Sequence, residues 1–116
     1  MTVARLFPIL RTRDLPALVS FYRAAFHAVE SYRFEDVYVA LGVGGGTVGI
    51  GLEPEVTASG RIAIWLYVDD VDATYRAVLD AGGSSTEPPA DMPWGERVAQ
   101  VRDIDGNPLY LGSPAG

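Results

Sequence analysis

Residues 5–27 read RLFPILRTRDLPALVSFYRAAFH, and residues 61–83 read RIAIWLYVDDVDATYRAVLDAGG. Each stretch opens with an apolar run that suits a strand and passes through polar residues to an aspartate. Each then continues with apolar residues three and four apart, the period of a helix. Setting Asp14 on Asp70 also sets Arg5 on Arg61, Leu10 on Leu66, Leu15 on Val71 and Ala17 on Ala73, an offset of 56 residues in a chain of 116. Two copies of one supersecondary unit account for this pattern, whereas a solenoid needs more repeats.

The punctuation of the two units agrees. Asp14 and Asp70 predict N-caps, because their carboxylates can accept hydrogen bonds from the free N–H groups of a first helical turn, where Pro16 has no N–H to satisfy. Leu15, Leu18, Val19, Tyr22 and Phe26 form one core stripe, and Val71, Thr74, Tyr75, Val78 and Leu79 the other. Gly82-Gly83 suits the left-handed end of the second helix. Beyond each helix the period becomes that of strands. Val37–Val43 and Thr47–Leu52 flank a Gly44-Gly45-Gly46 turn, and Arg97–Arg102 and Pro108–Leu111 flank Asp103-Ile104-Asp105-Gly106-Asn107, which suits a turn with φ > 0. Shorter strands are expected around Val29–Arg33 and Ser84–Glu87. Each half therefore reads β-α-β-β-β: module 1 over residues 1–53, a linker over 54–60 and module 2 over 61–116, within one domain.

Composition narrows the function. The chain has no cysteine, so it cannot build a disulfide framework, a thiolate metal site or a thiol nucleophile. Nine basic residues, all arginine, against fifteen acidic ones give a net charge of −6, which argues against nucleic acid as a partner and favours cationic small molecules. No stretch has the length of apolar residues that a membrane span needs, and the N-terminus does not read as a signal peptide, so a cytoplasmic protein is expected. With a single histidine, His27, no Ser-His or Cys-His pair can form, and Gly44–Gly46 lacks the lysine or helix of a phosphate loop.

Asp14-Leu15, Phe21-Tyr22-Arg23, Val68-Asp69-Asp70-Val71-Asp72-Ala73, Ala81-Gly82, Pro93-Trp94-Gly95 and Arg102-Asp103-Ile104-Asp105-Gly106-Asn107-Pro108, in that order and spacing, resemble the vicinal oxygen chelate superfamily, the glyoxalase/bleomycin-resistance group. The resemblance covers nearly the whole chain. It implies an α+β fold in which two tandem βαβββ modules form a curved mixed sheet around a cleft, commonly in a homodimer. His27 stands where the family often has glycine. The family's enzymes hold a divalent ion on the first and last strands of each module. Counting seven residues back from Asp14 and Asp70, and along the last strands from the turns before them, the resemblance puts those positions at Phe7, Ala63, Tyr110 and Gly49. None is a histidine or carboxylate, and a lone tyrosine is a poor site for such ions, so no metal or other cofactor is expected.

The same register assigns strand faces. Ala63, Trp65 and Tyr67 are expected to point into the cleft and Ile62, Ile64, Leu66 and Val68 under the helices. Arg5, Phe7, Ile9 and Arg11 join the cleft side, as does Tyr110, while Gly49 and Gly51 leave space; Tyr38 and Trp94 border it. These rings could instead pack on one another as sheet core. Asp69, Asp72, Glu87, Asp91 and Glu96 could give the cleft mouth a negative field or form a solvated rim, and Arg5 and Arg11 could hydrogen-bond a ligand carbonyl or, as is expected more, pair with carboxylates across a dimer. The resemblance implies a metal-free, dimeric binding protein of the bleomycin-resistance type that sequesters an aromatic or cationic antibiotic. The alternative is a lyase, isomerase or dioxygenase of the same superfamily with an atypical metal site.

Overall fold

The computed structural model describes residues 7–55 and 63–115. Arg5, Arg61 and Ile62 lie outside them. The element order is β1 (Ile9–Thr12), α1 (Leu15–Phe26), β2 (Val29–Phe34), β3 (Tyr38–Val43), β4 (Gly46–Leu52), β5 (Ile64–Tyr67), α2 (Val71–Asp80), β6 (Ser84–Asp91), β7 (Glu96–Arg102) and β8 (Pro108–Pro114). Both modules are β-α-β-β-β. Their strands form two four-stranded mixed sheets, ordered β1-β4-β3-β2 and β5-β8-β7-β6, with the first strand of each module parallel to the last. Each module contributes one of these sheets, as the tandem βαβββ reading expects, and among the described residues the two sheets do not pair with each other.

Both caps form as the sequence predicts: Asp14 accepts from the Ala17 N–H at 3.0 Å and Asp70 from the Ala73 N–H at 3.1 Å. His27 ends α1 in the left-handed conformation at φ 57°, the role glycine has elsewhere, and Gly82 turns the chain after α2 at φ 105°. β6 runs four residues past its expected end. It is an edge strand with two register shifts, and such irregular pairing accommodates Pro88 and Pro89, which have no N–H to give a ladder.

One apolar core draws on both modules, with Leu18, Tyr22, Leu41 and Ile50 clustered with Val71, Val78, Leu109 and Leu111. α1 packs on β3 and β4, α2 on β6, β7 and β8, and the helices on each other. This second contact widens the buried arc of α1. Phe21, outside the predicted stripe, is therefore buried edge-to-face on Tyr22, ring centroids 5.2 Å apart. Leu79, predicted within the α2 stripe, is exposed, because it sits about 100° around the helix from Val78.

A buried polar clasp also joins the modules. The Tyr22 hydroxyl, on α1, donates to Asp103 Oδ2 at 2.7 Å, and both residues are buried. Asp103 further accepts from the N–H groups of Asp105 and Asn107, each at 2.9 Å, and from Asn107 Nδ2 at 2.8 Å. One carboxylate thus closes the β7–β8 turn and ties it to the opposite module. Burial first, and the negative charge of Asp103 second, push the Tyr22 phenol far above the ordinary tyrosine range. An unfolded tyrosine ionises near about pH 10. Above that pH the unfolded chain loses a proton that the native state keeps, so this contribution is complete below pH 10 and falls by up to about 1.4 kcal/mol per unit as pH rises. Urea unfolding between about pH 8 and 11 should show a steeper loss in the wild type than in Tyr22→Phe; equal slopes would contradict the clasp.

Candidate functional site

Each sheet has one face on the helices and one turned away from them. On β5, Ile64, Leu66 and the following Val68 pack against the core, while Trp65 and Tyr67 are 41% and 69% exposed on the open face. This is the alternation expected from the register. Parallel pairing sets Trp65 opposite Tyr110, and their rings stack with centroids 5.3 Å apart and planes 9° from parallel. Tyr67 lies 5.8 Å from Trp65. Gly112 makes the stack possible: a Cβ there would stand 2.9 Å from Cζ2 of Trp65, so only a glycine lets the indole lie flat on β8.

Glu96 completes this face. It is two residues from Val98, which pairs with Gly112 under the indole. The Trp94 indole N–H donates to Glu96 Oε1 at 2.7 Å. The same carboxylate holds the Tyr67 phenol above its ordinary pKa. The open face of module 2 is thus a row of rings, Tyr110, Trp65, Tyr67 and Trp94, the last hydrogen-bonded to Glu96. Ala63, just before β5, is exposed.

Module 1 carries a separate group. Tyr38 stands half-buried on β3, 6.2 Å from Tyr32, and its ring lies over Gly49 and beside Gly51. The space predicted above Gly49 is therefore occupied by the Tyr38 side chain, aided by Ile9, whereas a Cβ on Gly51 would stand 4.0 Å from both side chains. Phe7, half-buried, precedes β1. The ring contacts among the described residues stay within one module or the other, so the nine expected ligand-binding residues form two groups.

Several charged residues stand elsewhere than expected. Asp72 and Asp91 both bind Arg97, at 2.7 and 3.0 Å. Arg97 follows Glu96 and so points to the opposite, helix-bearing face, which takes these two carboxylates away from the rings. Arg11 lies 3.5 Å from Glu53 of its own chain.

A cleft of about 630 Å³ opens between the modules. Its walls are the end of α1 with His27, the Gly44–Gly46 turn, β5 and the first turns of α2, so that Trp65, Tyr67 and Asp69 line it. Sequence reasoning missed the contribution of the helix end and the glycine turn. It also treated Glu96 as a rim charge, although the strand parity of Glu96 and Gly112 carried the signal.

The family model of the Glyoxalase/Bleomycin resistance protein/Dioxygenase superfamily matches residues 3–111. The chain belongs to that superfamily. A relative in Mycobacterium bovis, itself uncharacterized, is 31% identical over 94% of this chain and 82% of its own length. Two solved structures share the superfamily's fold. A glyoxalase/bleomycin resistance protein/dioxygenase family enzyme from Burkholderia phytofirmans superposes with a TM-score of 0.82 at 20% identity, covering 91% of this chain and 94% of that one. A bleomycin-binding protein complexed with bleomycin gives 0.70 at 23% identity, covering 96% and 98%. The superfamily thus holds both enzymes and binding proteins. The positions to which the resemblance assigns metal donors carry no His, Asp or Glu side chain. Phe7 and Ala63 have no donor atom, Gly49 lies under the Tyr38 ring, and Tyr110 has its ring committed to Trp65. Among the described residues, no three His, Asp or Glu side chains come together in a way that could hold a metal ion.

Proposed function

We propose that this chain is a metal-independent binding protein that sequesters an aromatic or cationic natural product, giving antibiotic resistance by holding the drug unchanged. The observation that carries this reading is the Trp65–Tyr110 stack, laid open on a sheet face where the superfamily's enzymes need metal donors. Stacked, half-exposed rings offer a flat ligand a large contact area at little conformational cost. The ligand stacks on Trp65, Tyr67 and Tyr110 with Trp94 at the rim and Ala63 beside them, while Phe7, Tyr38, Gly49 and Gly51 stand apart on module 1.

The protein acts as a cytoplasmic homodimer in this reading. Val29, Tyr32 and Phe34 are all more than half exposed along β2, an apolar surface that a second copy covers. Among the described residues no helix is long and apolar enough to cross a membrane.

Titration with bleomycin should quench tryptophan fluorescence, saturate at a fixed stoichiometry and raise the melting temperature, with mass spectrometry of the recovered drug showing no change in mass. A chemically altered drug would replace the binding protein with an enzyme, and the absence of quenching would remove the aromatic site.

A further inference from the structure

We propose that Glu96 gives the ring face selectivity for cations, so that its preferred ligand is a flat ring system carrying a permanent or protonated positive charge. The inference rests on the binding reading above and adds a chemical class to it.

Three observations carry it. First, Glu96 and Arg97 are adjacent opposite charges that the strand sends to opposite faces. Arg97 is engaged by Asp72 and Asp91 on the helix side, and the carboxylate of Glu96 is left among the rings. Second, the hydrogen bond that Glu96 accepts comes from a neutral donor, the Trp94 indole, at 2.7 Å. Ion pairs among the described residues engage Glu30, Asp36, Glu53, Asp72 and Asp91. A carboxylate offers about four acceptor sites, so one neutral donor orients it without cancelling its charge. Third, the rings around it are accessible, with Trp65 41%, Tyr67 69% and Trp94 63% exposed. Aromatic faces attract cations, and a carboxylate among them adds a directional attraction of the same sign. An anionic ligand would be repelled, and a neutral one would gain only the stacking.

A pair of dyes of one shape isolates the charge: N-methylacridinium, permanently cationic, and acridine, neutral at about pH 8. Fluorescence titration of the full chain should give affinity for the cation about tenfold higher than for the neutral dye, with the difference shrinking toward roughly 0.5 M salt. Glu96→Gln keeps an acceptor for Trp94 and removes the charge. It should lower the affinity for the cation and so bring the two dyes within about threefold. Asp80→Asn, which removes the same charge at the end of α2, should keep the preference. Equal affinities in the wild type, a preference that survives Glu96→Gln, or one indifferent to salt would overturn the inference while leaving the aromatic site standing. Failure of the wild type to bind either dye would overturn both. The salt titration needs only the wild-type protein, so the inference stays testable if Glu96→Gln does not fold.

Discussion

Asp103→Ala should lower the stability of the chain by roughly 3 kcal/mol or more, the largest effect expected from any single polar substitution in it. The reason lies in what remains behind. Removing the carboxylate strands the buried Tyr22 hydroxyl and the turn N–H groups of Asp105 and Asn107, which now donate to it at 2.7 to 2.9 Å. Each stranded buried donor costs about 1–3 kcal/mol, and water can reach the turn more easily than the hydroxyl, so the sum falls below three full penalties. Against a total of about 5–15 kcal/mol for a domain of this kind, such a loss lowers the melting temperature by roughly 10 °C. Tyr22→Phe should cost less, about 1–2 kcal/mol, because the turn keeps its other bonds. Thermal unfolding of the two variants should rank them in that order. An Asp103→Ala protein as stable as the wild type would contradict both the turn closure and the link between modules.

Trp65→Ala should weaken binding of bleomycin by at least about 2 kcal/mol, some thirtyfold, and leave the fold intact. Trp65 is half out of the protein, stacked on Tyr110 and not packed in the core cluster, so its removal costs the ligand more than the protein. Leu66→Ala, one residue on, should do the reverse: its side chain packs on the core, and truncation should cost about 2 kcal/mol of stability while the affinity stays near that of the wild type. Melting curves and fluorescence titrations of both variants test the alternation of β5 directly. Loss of affinity in both, or in neither, would contradict the division of that strand into a binding face and a core face.

The modular architecture was legible because its signals are local and repeated. Asp14 and Asp70 cap their helices, His27 and Gly82 end them in positive-φ conformations, and the β5 parity follows from one strand's alternation. What stayed hidden depends on contacts between segments far apart in the chain. The sequence contains both halves of the Tyr22–Asp103 bond, 81 residues apart, yet each reads locally as a helix residue and a turn residue. The space over Gly49 looked empty because alternation alone does not show that the Tyr38 ring leans across from the adjacent strand. Asp72 and Asp91 looked like partners of Glu96 in a negative rim until pairing with Arg97 set them on the other face. Charge counting along the chain carries no face information without the register.

Isothermal titration calorimetry of bleomycin into protein stripped of metal with a chelator is the most direct test of the central claim, that the aromatic face binds without an ion and without chemistry. The account predicts a saturable heat with a fixed number of sites and no further heat after saturation. Binding that appears only when a divalent ion is restored, or heat that continues at constant rate as ligand is consumed, would contradict it.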